Sequence, residues 1–412
     1  MSELGPVRAE MRSRTRSDTR TDGGSAPASP GRVLSLIAGG SAETRADIAR
    51  LTGLARSTVS QRVDALIAHG LLDEPTETGA GGRRLSRRLR LRTRDQLVLG
   101  VGLGATHGRV SLLDVAGAEL ATDEEPLRVA DGPERVLGRV VVLAHQLLEA
   151  VGQPPSVLRA IGVGLPGPVE FRAGQPVDPP IMPGWHRFPV PAFLTTRLGA
   201  ATLVDNDVNL MALAERRRHL PDAAHLLFVK MGTGIGCGII AGGQLHRGAR
   251  GSAGDIGHIR VGTDETPCRC GNLGCLEATV GGAALARRLS TPEAPLTSTI
   301  EVATLVKSGD REAVRLVREA GRSVGEVLSG LVNFFNPEAV VFGGALAAAH
   351  DQLLAGVREV VYRRSHPLAT RNLRIEPSQS GRDAVALGAG LLAIDHALSP
   401  EQVNEALLTA TR

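Results

Sequence analysis

Three of the four cysteines in this 412-residue chain lie close together, and a histidine precedes them. Cys268, Cys270 and Cys275 have the spacing C-x-C-x4-C, and His258 stands ten residues before the first of them. Three thiolates and one imidazole can surround a zinc ion tetrahedrally and leave no position for water, which makes such a site structural. The stretch is rich in Gly, Pro and Cys and has little apolar material, so metal binding would supply its order. Three unrelated buried thiols or a disulfide are the alternatives, and the spacing favours zinc.

The residues around this cluster carry a family resemblance. Gly254-Asp255-Ile256-Gly257-His258 is followed by Cys268-Arg269-Cys270-Gly271-Asn272-Leu273-Gly274-Cys275-Leu276-Glu277, and the combination resembles the signature of the ROK family (repressors, open reading frames and kinases). The family contains bacterial sugar kinases and sugar-responsive repressors. The resemblance extends from about residue 97 to the C-terminus. It implies an α/β fold, with a two-lobed actin-like/sugar-kinase (RNase H-like) body.

The resemblance also implies a set of ligand-binding residues. The zinc ligands would be His258, Cys268, Cys270 and Cys275, and the sugar contacts would be Asn206, Asp207, Asp255, His258 and Glu277. Asp255 stands where the family usually has glutamate, which shortens the side chain by one methylene. In the family's kinases the equivalent of Asp207 takes the proton from the sugar hydroxyl, and the alternative for Asn206-Asp207 is a simple helix cap. Trp185, the only tryptophan, is either a platform for the sugar or a core residue.

The first phosphate loop departs from the kinase pattern. A strand over 96–101 leads into Gly102-Leu103-Gly104-Ala105-Thr106-His107, where the kinases read approximately D-x-G-G-T-K. Gly102 replaces the aspartate that positions the metal on ATP, and His107 replaces the lysine. The second loop, Gly232-Thr233-Gly234-Ile235-Gly236, keeps its glycines, which a fold can need for close backbone passage alone. We therefore predict no catalytic residue and no kinase activity.

The N-terminal part of the chain is basic. Residues 1–92 carry 16 arginines and ten acidic residues, a net charge of +6, which leaves −2 for the rest of the chain. A basic N-terminal segment joined to a near-neutral body is typical of nucleic-acid-binding proteins. Residues 1–29 are polar and lack apolar periodicity, so we predict a disordered tail there.

Residues 30–92 have the pattern of a helix-turn-helix. Thr44 and Asp47 form a capping box for one helix, Gly53 makes the turn, and a second helix runs from about 55 to 68. A Gly-rich turn carrying two arginines then predicts the hairpin of a winged helix, and a plain three-helix packing module is the alternative. ROK repressors carry such a winged helix here, whereas the kinases lack it. The predicted DNA contacts are Arg56, Ser57, Thr58, Ser60, Gln61, Arg62, Arg83 and Arg84.

The sequence thus predicts a disordered tail (1–29), a winged helix-turn-helix (30–92) and a two-lobed sugar-binding body (95–412) with a zinc loop over 258–277. We interpret the chain as a cytoplasmic, sugar-responsive transcriptional regulator, most simply a repressor. Its expected partners are double-stranded operator DNA, a sugar or sugar phosphate, and further copies of itself in a dimer or tetramer, with no membrane. One alternative is an ATP-dependent sugar kinase. A third class is a regulator whose sugar pocket is vestigial and which responds only to protein partners.

Overall fold

The computed structural model describes residues 29–75 and 88–409. Within them lie a small helical N-terminal part and a body with two five-stranded sheets. The α/β fold class predicted from the sequence is confirmed. No helix of the described residues is long and apolar enough to cross a membrane.

The N-terminal part contains three helices and the base of a hairpin. Its elements are α1 (Pro30–Ala38), α2 (Arg45–Thr52), α3 (Arg56–Ala68), β1 (Leu72–Asp73) and β2 (Arg90–Leu91). The predicted capping box is present, because the Thr44 hydroxyl accepts from the Asp47 N–H and the Asp47 carboxylate accepts from the Thr44 N–H. Gly53 ends α2 in the left-handed conformation at φ 69°, which glycine adopts without strain. β1 and β2 pair antiparallel, and the predicted hairpin tip with Arg83 and Arg84 lies outside the described residues.

The first lobe of the body is built on a sheet with the strand order β5-β4-β3-β6-β9. Its strands are β3 (Leu97–Leu103), β4 (Gly108–Asp114), β5 (Glu119–Glu125), β6 (Leu158–Leu165) and β9 (Ala201–Asn206), and β3, β6 and β9 run parallel. One face packs on α4 (Pro133–Ala150) and α5 (Val190–Leu198). A short hairpin, β7 (Val169–Glu170) with β8 (Gln175–Pro176), follows β6.

Trp185 belongs to the core of this lobe. Its side chain is fully buried, and its indole N–H donates to the carbonyl of Val129 at 2.8 Å. The choice that the sequence left open between a sugar platform and a core residue is thereby decided, because a ring with no exposed face cannot stack on a ligand.

Two helices cover the other face of the first sheet. They are α6 (Asp207–Arg218) and α13 (Ala384–Ala397). Their approach is so close that a Cβ at Gly162 of β6 would lie 1.9 Å from the carbonyl oxygen of Ala389. α13 therefore returns the chain from the second lobe to the sheet of the first lobe.

The second lobe has the strand order β12-β11-β10-β13-β14. Its strands are β10 (Leu226–Met231), β11 (Ile235–Ala241), β12 (Gln244–Leu245), β13 (Ala339–Gly343) and β14 (Arg374–Pro377). Its helices are α7 (Leu276–Val280), α8 (Gly282–Leu289), α9 (Thr299–Lys307), α10 (Arg311–Phe335), α11 (His350–Arg364) and α12 (Pro367–Thr370). α6 also packs on β10 and β11, so this one helix lies between the two sheets.

The last helix, α14 (Pro400–Thr409), packs on the N-terminal part rather than on the body. Val403 is buried in the same apolar cluster as Val33, Leu34 and Val63. The Asn404 side chain accepts from the Gly31 N–H at 2.9 Å. This packing differs from the predicted division, in which residues 95–412 formed one body, because the apolar face of an amphipathic helix packs on whichever apolar surface the fold brings near it.

Candidate functional site

The predicted metal ligands lie together. Ligand atoms of His258, Cys268, Cys270 and Cys275 are all within 4.8 Å of one another. The Cys270 and Cys275 sulfurs are 3.7 Å apart, and His258 Nδ1 is 3.5 Å from the Cys268 sulfur. A zinc tetrahedron with bonds of about 2.3 Å to sulfur and about 2.0 Å to nitrogen has edges of roughly 3.5–3.8 Å. The donor set and its spacing therefore fit a tetrahedral metal ion.

Backbone geometry brings these four residues together. His258 closes a short 3-10 turn, Ile256–His258, and Cys275 is the N-terminal cap of α7. Between them the Cys268 N–H donates to the Asn272 carbonyl at 2.8 Å, which folds the chain back on itself. Gly271 has φ 91°, a conformation that L side chains rarely adopt.

The thiols of the cluster differ in acidity. Burial raises the pKa of the Cys275 thiol to about 12. The backbone N–H of Asn272 lowers the pKa of Cys270 to about 7. A divalent cation that binds here must therefore displace a proton from Cys275. Cys237, the fourth cysteine, is buried outside the cluster, and burial raises its pKa to about 12, as expected for a packing residue.

Two predicted sugar-binding carboxylates border the group of predicted metal ligands. Asp255 Oδ1 lies 3.9 Å from Nε2 of His258, whereas Nδ1 of the same ring is the nitrogen next to the Cys268 sulfur. Glu277 Oε1 lies 3.8 Å from the Cys268 sulfur. A carboxylate that accepts a hydrogen bond from the second nitrogen of a metal-bound imidazole fixes the orientation of the ring, but 3.9 Å is longer than a hydrogen bond. Asp255 is therefore a charged neighbour of the imidazole and is not bonded to it.

The other two predicted sugar contacts lie where β9 meets α6. Asn206 caps α6, since its Oδ1 accepts from the Val208 N–H at 2.9 Å and its Nδ2 donates to the Gly167 carbonyl at 2.7 Å. Asp207 is 5% exposed and forms an ion pair with Lys230 at the end of β10. No motif of the sequence predicted a role for Lys230. Composition could have revealed it, because Lys230 is one of two lysines in a chain with 45 arginines.

The second glycine loop connects these two groups of residues. A Cβ added at Gly234 would lie 2.5 Å from Glu277 Oε2, and a Cβ at Gly232 would lie 3.4 Å from Cε of Lys230. The loop over residues 232–234 therefore lies beside both Lys230 and Glu277. The structure brings both sets of predicted ligand residues to one loop.

The first glycine loop has no room for the kinase carboxylate. A Cβ at Gly102 would lie 2.9 Å from the backbone nitrogen of Ala386 and 3.1 Å from Cβ of Val385. Arg109, the cross-strand partner of Gly102, forms an ion pair with Asp383 at 3.1 Å, just before α13. The start of α13 and the ion pair between Arg109 and Asp383 therefore fill the space around Gly102.

A buried carboxylate joins α6 to the segment that leads into α13. Glu215 is 1% exposed. Its carboxylate accepts from the hydroxyls of Ser378 and Ser380 at 2.6 Å each and from the Gln379 N–H at 3.0 Å. Asp207 begins α6 and Glu215 lies in its last turn, so the helix connects a predicted sugar contact to the hydrogen bonds that hold residues 378–380.

An ion pair also crosses between the lobes. Arg247, which follows β12, donates from Nε to Asp205 Oδ2 at 2.7 Å and lies 3.8 Å from the centre of the Phe171 ring. Asp205 is 2% exposed at the end of β9. Its other oxygen accepts from Asn209 at 2.9 Å. The sequence gives no sign of this contact, because 42 residues separate the two charges.

Not every residue of the predicted DNA face is equally accessible. Arg56, Ser57 and Gln61 are exposed on α3, whereas Thr58, Ser60 and Arg62 are half-buried. Nη1 of Arg62 is buried and has no hydrogen-bond partner within the described part of the chain. The exposed group at the start and middle of α3 is therefore the better placed to reach DNA.

Comparison with known proteins agrees with this architecture. A family model described as "ROK family" matches residues 98–396, and one described as "IclR helix-turn-helix domain" matches residues 31–75. A putative xylose repressor of Caldicellulosiruptor sp. (strain Rt8B.4) is 28% identical over 370 residues, which cover 86% of this chain and 92% of that protein. A glucokinase of Halalkalibacterium halodurans is 29% identical over 327 residues, 76% of this chain and 99% of that protein. The crystal structure of a ROK family transcriptional regulator, a homolog of the E. coli MLC protein, covers 92% of this chain and 98% of its own at 24% identity and a TM-score of 0.79.

Proposed function

The chain belongs to the ROK family, and we propose that it is a sugar-responsive, DNA-binding transcriptional regulator that acts as a repressor. The observation that carries this proposal is the joining of a helix-turn-helix to a sugar-kinase-like body whose first phosphate loop lacks room for a carboxylate. Xylose repressors are among its relatives, and they match over both parts of the chain.

Three features support a body that binds sugar without phosphorylating it. Gly102 offers no ligand for Mg²⁺, which kinases need on the ATP phosphates. His107 stands in the position of the kinase lysine. Asp207 is ion-paired with Lys230, so the carboxylate that would take the hydroxyl proton already has a cationic partner. Asn206, Asp207, Asp255, His258 and Glu277 then serve as sugar contacts and none as a catalytic residue.

The metal of the body is proposed to be a structural zinc ion. His258, Cys268, Cys270 and Cys275 supply three sulfurs and one nitrogen, the set that zinc prefers, and leave no open position for catalysis. The ion would hold the segment over 258–277 in place, which contains His258 and Glu277. Free thiols of this kind favour a reducing compartment, and we propose the cytoplasm.

DNA binding is proposed for the N-terminal part. Arg56, Ser57 and Gln61 are the side chains expected to meet base edges and phosphates, with Thr58, Ser60 and Arg62 at the margin. Arg83 and Arg84 of the predicted wing would add phosphate contacts. A two-fold operator would require at least a dimer, and we propose a dimer or tetramer.

A continuous series of contacts can couple the two functions. A sugar at the start of α6 changes the surroundings of Asp207, and Glu215 on the same helix holds residues 378–380. That segment leads into α13, and α13 leads into α14, which packs on α1. A ligand that prefers one arrangement of this series changes operator affinity, and a coupling of about 1–3 kcal/mol corresponds to a 5- to 150-fold change.

The test is an operator titration on the full chain. Duplexes are first selected from a random pool, and their binding is then measured with and without sugars and sugar phosphates. We expect binding to require residues 1–92 and the sugar response to disappear in Asp207→Asn. Binding that persists after deletion of residues 1–92 would contradict the DNA assignment. A full response in Asp207→Asn would contradict the pocket assignment.

The alternative is a sugar kinase, and the intact second loop, Gly232–Gly236, favours it together with the related glucokinases. A coupled assay with ATP, Mg²⁺ and a panel of monosaccharides distinguishes the two. Steady turnover that is lost in Asp207→Asn would establish the kinase.

A further inference from the structure

A loop of the second lobe reaches across to the first lobe. This bridging loop, residues 246–254, runs from the end of β12 to the 3-10 turn before the cysteine cluster. The Ala253 N–H donates to the Arg247 carbonyl at 3.1 Å, so the loop closes on itself. Gly251 lies against the β7–β8 hairpin, where a Cβ would be 2.5 Å from the carbonyl oxygen of Val169. The bridging loop therefore belongs to the second lobe by its place in the chain and packs on the first.

Arg247 makes a charged contact between this loop and the first lobe. Its Nε donates to Asp205 Oδ2 at 2.7 Å, and its guanidinium lies 3.8 Å from the centre of the Phe171 ring. The side chains of Arg247 and Asp205 are only 21% and 3% exposed. Salt and water screen such a pair much less than they screen a surface ion pair. The contact is thus suited to hold the two lobes in one arrangement.

The carboxylate of Asp205 also orders the first turn of α6. Its Oδ1 accepts from the Asn206 N–H at 2.8 Å and from the Asn209 side chain at 2.9 Å, while Oδ2 accepts from Arg247. Asn206 and Asp207, two predicted sugar contacts, follow directly in the chain. A change at Arg247 therefore reaches these two residues through one carboxylate.

The other end of the bridging loop leads to Asp255 and His258. The Cys237 N–H donates to the Gly254 carbonyl at 2.9 Å, which fixes this end of the loop on β11. Gly254 has φ 91°, and a Cβ there would lie 1.7 Å from the Cys237 carbonyl oxygen, so the close approach requires glycine. The bridging loop and Arg247 thus connect the two groups of predicted sugar contacts by a route outside the second glycine loop.

Resting on the proposed function, we propose that Arg247 is a positioning residue of the sugar site, which acts through Asp205 and touches no sugar itself. Its ion pair holds the start of α6 and the bridging loop in register, so that the sugar contacts of the two lobes face each other. A sugar then meets a preorganised site and biases the arrangement of both lobes together. Without the pair the two groups of contacts move independently, so sugar affinity falls and a bound sugar no longer changes operator affinity.

The experiment measures sugar binding and operator binding separately on the full chain. Xylose, glucose, N-acetylglucosamine and their monophosphates are titrated calorimetrically into the wild type, and the tightest binder becomes the probe for all variants. We expect Arg247→Gln to bind this probe about 10-fold or more weakly, the effect typical of one charged hydrogen bond. With the probe at saturation, its operator affinity should change by no more than about 2-fold, whereas the wild type should show a response of roughly 5- to 150-fold. Its operator affinity without the probe should stay within about 2-fold of wild type.

Further variants separate positioning from stability. Arg247→Lys keeps the charge without the planar fork, and it should restore the sugar response in part. Arg250→Gln is the matched control, because Arg250 is exposed on the same loop, and it should behave as the wild type. If Arg247→Gln fails to fold because Asp205 is left buried without a cation, the double variant with Asp205→Asn removes both charges and gives the same comparison. Where both single variants fold, the double variant should bind the probe no more weakly than Arg247→Gln, since both changes break one contact.

Each other outcome overturns the proposal. An Arg247→Gln protein that binds the probe and responds to it as the wild type does has lost no positioning residue. An equal loss of probe-free operator affinity, or the same loss of response in Arg250→Gln, shows damage to the fold or to the loop instead. Full additivity of Asp205→Asn and Arg247→Gln shows that Arg247 acts elsewhere. If the wild type responds to a sugar and these variants fail in one of these ways, only this inference fails. If the wild type binds none of the sugars, the sugar-responsive function fails with it.

Discussion

The strongest single test of the architecture is a change on α14, far in sequence from the predicted DNA-binding residues. Val403 on α14 is 2% exposed and packs in the core of the helix-turn-helix. Val403→Ala removes two methyl groups, at about 0.8 kcal/mol each, and leaves a small cavity. The expected loss is about 2 kcal/mol of stability in the N-terminal part, or roughly a 30-fold increase in the population of its open form.

Amide hydrogen exchange of the full chain measures this change directly. Exchange of the buried amides in α1 and α3 should accelerate about 30-fold, since their opening requires loss of the shared core. Amides of β3 and β10 in the two lobes should exchange at the wild-type rate. Leu408→Ala is the matched control on the same helix, because Leu408 is 71% exposed and its truncation removes little packing.

Two results would refute the reasoning. If Val403→Ala and Leu408→Ala had the same small effect on α1 and α3, α14 would not be part of the N-terminal core. If Val403→Ala accelerated exchange equally in the two lobes, the three parts would unfold as one unit, and α14 would not act locally.

The remaining predictions concern the metal ligands, the first glycine loop, the buried carboxylate of Glu215 and the predicted DNA contacts. Elemental analysis should find about one zinc per chain, and Cys275→Ser should lose the metal and lower the melting temperature, since ligand and fold are coupled. Gly102→Asp should destabilise the chain and still give no phosphorylation in a coupled assay, because its Cβ would lie 2.9 Å from the nitrogen of Ala386. Glu215→Ala leaves several donors without an acceptor and should cost about 2–4 kcal/mol in chemical denaturation while weakening the sugar effect on DNA binding. Arg56→Ala should reduce the slope of log affinity against log salt by about one unit, and an unchanged slope would remove Arg56 from the phosphate contacts.

The sequence by itself predicted the family and the α/β class, and the family match and the fold comparison confirm both. The predicted function class is that of the xylose repressors among the relatives. The reason is that these features depend on short, local patterns. The helix-turn-helix was readable from the capping box at Thr44 and the turn at Gly53, since caps and turns involve residues three or four apart. The metal ligands could be predicted because metal-binding cysteines and histidines recur at short, characteristic spacings in a sequence. Their roles, like those of the sugar and DNA contacts, remain predictions that the experiments above test.

Only the tertiary structure decided the contacts between distant segments. Lys230 meets Asp207 across 23 residues, Glu215 meets Ser378 across 163, and Asn404 meets Gly31 across 373. Neither hydrophobic periodicity nor motif spacing in the sequence predicts such pairs. Each side chain could bond to many partners, and the folded backbone determines which of them lies near. The burial of Trp185 and the packing of α14 were undetermined for the same reason. The hydrophobicity of a side chain predicts that it will be buried, but only the fold determines which residues bury it.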